Sequence, residues 1–428
     1  MNDTTLGRAR PKATHAFGRL TFAALAFLLL LDLLQSIFGG VLRYYLAQSG
    51  IPSAAYAPKF LIIVMIVVTA ILSLQTLRVR KSVITITMTF VIYLLVGLIY
   101  TKTATQVLFG AFILVQLYFG VLIAPVLLKY STKLTKYALV MWLCVAAGVT
   151  FNHFSSVSWS GSDFTIGTHT LDASRQWSAF GINRIAGFSR ASYSAASQLL
   201  FLALVVLVLG KRTLLRVFVW LCTGVLVVAT TTKTAIGVFL IITVLAMIIK
   251  MRRLFPQFVR ATMFVAPIVI CLIGIIAPVS ILLFNFQLDL SSVWSELLFA
   301  SFGDRLQNTW PDTFNLIFNH GNWLLGRGIG GIGAAQQFFE PTLFSPADNM
   351  FLYLYASFGI VALYILFAYT RRVCSFHDSR QKWDVLMWLM GVAVLAEGWT
   401  INVVESSFLA LALGITFAAS TSKRTDLA

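Results

Sequence analysis

The chain has 428 residues, of which 59% are hydrophobic and only 11% charged, with a mean hydropathy of +0.87. A soluble domain carries about 25% charged residues, so this composition excludes a water-facing globule and indicates a lipid-facing exterior. The formal charge of +17 does not indicate a nucleic-acid binder, because the basic residues are placed as a membrane topology places them.

Apolar runs long enough to cross a bilayer, which takes about 20 residues, predict helices in chain order. They lie near 20–39, 60–77, 82–100, 106–127, 134–152 and 192–209, then near 213–229, 235–250, 260–284, 350–369, 384–401 and 404–420. The first run is too long for a signal-peptide core and no small-residue cleavage site follows it, so it reads as the first span. The fold expected is an all-α polytopic membrane protein with about 12 transmembrane helices, forming one domain over residues 1–428.

Lys and Arg sort by side when the connections are taken alternately. One side holds Arg8, Arg10, Lys12, Arg19, then Arg78, Arg80, Lys81, then Lys129, Lys133, Lys136, and Lys211, Arg212, Arg216. It continues with Lys250, Arg252, Arg253, Arg260, then Arg371, Arg372, Arg380, Lys382, and Lys423 with Arg424, which makes 23 of the 32. The other side holds nine, together with ten of the fifteen carboxylates. Positive residues stay cytoplasmic, so both termini are expected inside (N-in/C-in), with anionic membrane lipids as contacts and no nucleic acid. Cys144, Cys222 and Cys271 fall in predicted helices and Cys374 in a cytoplasmic connection, so neither a disulfide nor a metal-ligand spacing is expected.

Two connections are long, 153–190 and 286–349, and both fall on the outer side. Long loops on a helical scaffold are where binding and catalysis concentrate, and these two are expected to fold against each other. In the second, Ser301 and Asp304 read as a capping box, and Pro311 opens a helix over 311–319 on the membrane surface.

Six outer cations stand out: Arg175, Arg184, Arg190, Lys233, Arg305 and Arg327. A guanidinium binds phosphate bidentately and keeps its charge, so the set suits a lipid-linked phosphate or pyrophosphate. Taken singly, each also reads as a partner of Asp163, Asp172, Asp304 or Asp312, or as a cation snorkelling to headgroups. A general base would come from Asp304, Asp312, Asp348, Glu397 and Glu405, or from His153, His169 and His320. Asp348 is best placed, at the start of the predicted tenth helix, and reads equally as a helix cap. Asp32 is an acid inside the first span, a costly position and so a candidate. Gly326-x-Gly328-x-x-Gly331 fits a dinucleotide fingerprint but lacks its strand and acidic partner. These glycines suit a tight turn and close backbone approach to a ligand.

Three segments then resemble the O-antigen polymerase and ligase superfamily of bacterial membrane glycosyltransferases. The first is Asn183-Arg184-Ile185-Ala186-Gly187-Phe188, leading into a helix through Ala195 and Ala196. The second is Gly303-Asp304-Arg305 with Trp310, then Leu324-Leu325-Gly326-Arg327-Gly328-Ile329-Gly330. The third is Asp348-Asn349-Met350-Phe351-Leu352 with Phe358-Gly359-Ile360-Val361, and a weaker fourth is Thr232-Lys233-Thr234-Ala235. Their order and spacing over roughly 180–370 carry the resemblance.

The resemblance implies a GT-C-like enzyme of the bacterial inner membrane, with its site facing the periplasm. Such an enzyme moves a glycan from undecaprenyl pyrophosphate onto an acceptor, without metal, cofactor or nucleotide-sugar. By position, Arg184 and Arg305 would hold the leaving pyrophosphate, an electrostatic role in which one donor is worth about 3 kcal/mol. Arg190, Arg327 and Lys233 would be supporting cations, with Trp310 and Asn349 as further substrate-binding residues. The pathway's chain-length regulator and flippase are the implied protein partners. Ligases of the superfamily place a His just before this Asn; here Asp348 stands there, a feature associated with polymerases, and Asp348 becomes the candidate base. The rival readings are an O-antigen ligase acting on lipid A core, a lipid-linked oligosaccharide flippase, and a peptidoglycan glycosyltransferase. A transporter would show inverted repeats and charges at mid-membrane, whereas here the charges crowd into one-sided loops.

Overall fold

The computed structural model describes residues 12–75, 81–166, 169–179, 182–284 and 293–419. Arg8, Arg10, Arg78, Arg80, Lys423 and Arg424 lie outside the described residues, as do the side chains of Lys12, Arg19, Lys81 and His169, the first part of the 286–349 loop and the last residue of the predicted 404–420 helix.

Helices occupy every predicted stretch. They are Lys12–Ile37, Ala57–Gln75, Lys81–Tyr100, Ala104–Lys129, Ser131–Phe154, Ser192–Leu209, Thr213–Ala229, Lys233–Lys250 and Pro256–Val279. Met350–Phe358 with Val361–Cys374, Lys382–Glu397 and Ser407–Ala418 complete the set. By length and composition, six helical stretches among the described residues suffice to cross a membrane, or seven when the bent pair Phe22–Ile37 and Gly39–Gln48 counts as one span. Among the described residues the other helices of the expected dozen are shorter than that test requires.

Helix Lys382–Glu397 is apolar nearly all round and buried along its length but for Lys382 and Val385, the mark of a central helix. Helices Ala104–Lys129 and Ser407–Ala418 approach so closely that a Cβ at Gly414 would lie 2.1 Å from the Leu117 carbonyl oxygen. Small residues permit this contact where lipid supplies no hydrophobic drive. Outward faces carry exposed apolar side chains at helical spacing, such as Leu214, Phe218, Leu221 and Val225, as lipid contact requires.

Polar ties mend the helix breaks. Pro267 has no N–H for the Met263 carbonyl four residues back, and the Trp388 indole donates to that oxygen at 2.7 Å. Pro278 frees the Gly274 carbonyl in the same way, and Asn349 Nδ2 reaches it at 3.4 Å.

Two local expectations are corrected, and the first loop holds order that the sequence did not mark. The predicted tenth helix breaks at Gly359, which has φ +52°; the second loop enters the gap, where Ile360 N–H donates to the Leu324 carbonyl at 2.9 Å. Ser301 sits inside the helix Val293–Asp304, so Ser301 and Asp304 form no capping box. The first loop is not purely irregular: two short antiparallel hairpins form, Asp163–Ile166 with His169–Asp172 and Ser178–Ala179 with Ile182–Asn183. Phe164 pairs with Leu171 across the first hairpin and is buried, which gives that hairpin one apolar face. Pro311 does open a helix, Trp310–His320, at its first turn.

Candidate functional site

The two long loops wall one cavity of about 1000 Å3 at the end of the bundle that carries them. From the first loop come Arg175, Trp177 and Arg184; from the second, Arg305, Pro346 and Asp348; from the helix starts and the last connection, Tyr193, Lys233, Trp399, Thr400 and Glu405.

Arg305 opens a π-helical turn, Arg305–Thr309, between the helices Val293–Asp304 and Trp310–His320. Such bulges recur at functional sites because they re-aim a side chain. The Arg305 guanidinium donates through Nη1 to the Ser301 carbonyl and hydroxyl, each at 2.8 Å. Nη2 donates to the Thr400 carbonyl at 3.2 Å and to Asp348 Oδ2 at 3.4 Å. The fork is thereby held in one orientation with a weak carboxylate contact.

Arg184 forms no ion pair among the described residues. Its guanidinium stands 5.8 Å from the Trp177 ring centre, a cation–π contact that Arg175 shares at 5.9 Å. Burial lowers the pKa of Arg184 and the nearby Arg305 charge lowers it further. The charges of Arg184 and Arg305 also act on Lys233, so three cations converge. Lys233 starts its helix just after Thr231, held at φ +54°.

Asp348 follows Ala347, and the two have φ +45° and +59°. Thr231, Ala347 and Asp348 are the non-glycine residues with positive φ among the described residues, and all flank this cavity or line it. Strain so gathered points to function. The Asp348 side chain is 43% exposed to the cavity, yet burial raises its pKa, with Arg305 opposing and Asp304 assisting. Asp348 is not the helix cap: Asn349 is, its Oδ1 accepting from Leu352 N–H at 2.8 Å. Glu405 is raised to about 7, first by burial, against the pull of the Ala334 N–H and Arg175.

The remaining predicted residues lie elsewhere. Arg190 faces a smaller neighbouring chamber. Arg327 is 1% exposed and pairs with Glu340 at 2.9 Å while donating to the carbonyls of Tyr100, His320 and Gly331, so it ties the loop together and does not reach the cavity. Trp310 is fully buried with Leu306, Phe314 and Leu352 and reaches the site only by packing edge-on against Phe302, a wall residue. Asn349 is committed to its cap and to the Trp399 and Gly274 carbonyls. The glycine run meets protein backbone where a ligand was expected: a Cβ at Gly328 would lie 2.1 Å from Gly97 N. Neither His153 nor His320 lines the cavity. Asp32 accepts from Gln116 Nε2 at 2.7 Å.

Trp177, Tyr193, Trp399 and Thr400 were not marked by the sequence. No group of three or more His, Cys, Asp or Glu gathers to hold a metal ion among the described residues. The arrangement as it stands can neutralise a multiply charged anion beside a carboxylate of raised basicity.

Residues 217–367 match the family described as O-antigen ligase, a stretch that holds Lys233, Arg305 and Asp348 and leaves out Arg184. No curated protein and no solved structure matches the chain.

Proposed function

With a multi-pass helical membrane protein and an O-antigen ligase-family domain over residues 217–367 as premise, we propose that the chain is a polysaccharide polymerase. It transfers a growing glycan from undecaprenyl pyrophosphate to the terminal sugar of an incoming lipid-linked repeat unit. The observation that carries this reading is the convergence of Arg184, Lys233 and Arg305 on one large cavity beside Asp348.

In the step proposed, the acceptor hydroxyl attacks the anomeric carbon, the bond from that carbon to the pyrophosphate oxygen breaks, and Asp348 takes the hydroxyl proton. The leaving pyrophosphate gathers negative charge as the bond breaks. Cations already fixed in position stabilise that charge without reorganising, and Arg305 is fixed by three carbonyl or hydroxyl contacts. A carboxylate whose pKa is raised toward the working pH is the better base. The excess of Lys and Arg at the opposite end supports a periplasmic position for the loop face.

The test is a surface-glycan gel from the host with this gene deleted and then complemented. Long chains should vanish while single repeat units persist. Arg305→Ala should fail to restore them, with turnover reduced about 10²–10³-fold. Complete polymer left unattached on its lipid carrier would instead make the chain a ligase, the activity for which its family is described.

A further inference from the structure

A second chamber of about 110 Å3 adjoins the large cavity. Tyr193, Glu405 and Ser406 line both. Its walls bring in the bend after the first helix, with Arg43, and the start of the Ala57–Gln75 helix, with Lys59; Arg190 joins them from the first loop.

Charge is poorly balanced there. Arg43 and Lys59 form no ion pair among the described residues. Each rests instead on an aromatic ring, Arg43 at 5.8 Å from Tyr56 and Lys59 at 4.4 Å from Phe112. Among the described residues Arg190 has only Asp172 as an ion-pair partner, at 3.8 Å, and that carboxylate is already held by Arg175 at 2.7 Å. Arg190 Nε is buried with no hydrogen-bond partner. The two acids on the wall accept from neutral donors, Asp32 from Gln116 and Glu405 from the Ala334 N–H, both at 2.7 Å; the Lys59 charge also acts on both, and they number two against three cations. Arg43 and Arg190 are close enough for their charges to oppose each other. Three half-buried cations facing two acids leave positive charge in excess, and an incoming anion offsets their mutual repulsion.

We propose that this chamber binds an acidic substituent, a carboxylate, on a sugar of the glycan seated in the large cavity. The proposal rests on the reading of that cavity as a glycan site. At about 30 Å3 for each water-sized group, the chamber has room for a carboxylate and the carbon that bears it. Two guanidinium forks match two carboxylate oxygens, and the Lys59 ammonium adds a compact third charge. A neutral sugar brings hydroxyl acceptors and no charge to offset three cations, so the chamber favours repeat units that carry an acid such as a uronic acid.

The test uses the whole protein in phosphatidylcholine nanodiscs, its melting temperature followed with glucuronate, glucose or inorganic phosphate at equal ionic strength. The response assigned to the chamber is the part kept in Arg305→Ala and lost in the double variant Arg43→Gln, Lys59→Gln. Glucuronate should give such a response and glucose none, and the double variant should weaken glucuronate about tenfold with its unliganded melting temperature no lower than wild type. If the double variant fails to fold, Arg43→Lys, which keeps the charge and loses the fork, should weaken glucuronate more than phosphate. An equal response to glucose overturns the proposal. So does an equal chamber response to phosphate, which would make it a general ion site. Loss of the glucuronate response when phosphatidylglycerol is added to the discs would make it a headgroup site. Any of these outcomes can occur while the gel still shows Arg305→Ala to be inactive, so the chamber can fail without the polymerase reading failing.

Discussion

Asp348 sits at φ +45° after Ala347 at +59°, a conformation that costs a non-glycine residue about 1–2 kcal/mol. The chain meets this cost one residue before Asn349 closes the next helix, and the result is that the acid faces the cavity while the amide faces inward. The two positions should therefore separate under mutation. Asp348→Asn keeps a residue that tolerates the left-handed region; it should leave the amount of folded protein unchanged and cut turnover about 10²–10⁴-fold. Asn349→Ala should do the reverse, losing about 1–2 kcal/mol from the cap alone, seen as a lower melting temperature before any glycan is measured. Unchanged turnover in Asp348→Asn would remove that residue as base. A third substitution addresses Arg327, whose role the sequence misassigned. Breaking a buried pair costs about 3–5 kcal/mol, so Arg327→Met should abolish accumulation of folded protein, as measured by detergent size-exclusion chromatography. Residue type brought Arg184, Lys233, Arg305 and Asp348 to notice, and the fold gathers all four on one cavity. Type alone could not separate Arg305 from Arg327, since a guanidinium binds backbone carbonyls as readily as phosphate. Only neighbours distant in sequence, Tyr100 and Glu340 for Arg327 and Thr400 for Arg305, tell them apart.

Between elements, what positions the site is the docking of the second loop onto the helices. Arg327 and Gly328 N–H groups donate to the Ala356 and Ser357 carbonyls at 2.7 and 3.1 Å, and Ile329 N–H to Tyr93 at 3.0 Å. The first two bonds take up carbonyls left open where the Met350–Phe358 helix ends, and the third ties the loop to the Lys81–Tyr100 helix. Gly328 combines φ +75° with backbone contact to Gly97. Gly328→Ala should thus shift the loop as a whole, lowering both melting temperature and activity, whereas Gly237→Ala, with nothing within 4 Å of its added Cβ, should leave the melting temperature unchanged. Apolar runs disclosed the helices because bilayer thickness imposes length and hydropathy together. They did not disclose the 82° bend after Ile37 or the break at Gly359. Averaged hydropathy does not register one or two glycines, and both breaks depend on a distant loop, Phe188 at the first and Leu324 at the second, to receive them.

At the scale of the whole molecule, Glu405 joins the parts: its carboxyl borders both chambers, accepts from Ala334 of the second loop and packs against Gly333. Burial lifts its pKa from 4.5 to about 7, with Asp348 adding to the rise and Arg175 opposing it. A carboxyl raised on folding keeps its proton in the native state while the unfolded chain releases it. Stability therefore falls as pH climbs from about 4.5 to about 7, and the full deficit stands above that window. Glu405→Gln keeps an oxygen for the Ala334 N–H and cannot ionise. Its melting temperature should match wild type near pH 4.5 and exceed it by several degrees at pH 8, in neutral-lipid nanodiscs without added anion. A difference that shrinks or reverses as pH rises would mean that Arg175 and Lys59 hold Glu405 as an anion. The two chambers would then have a negative charge at their junction at neutral pH, and the positive charge left for an anionic glycan would be smaller by one.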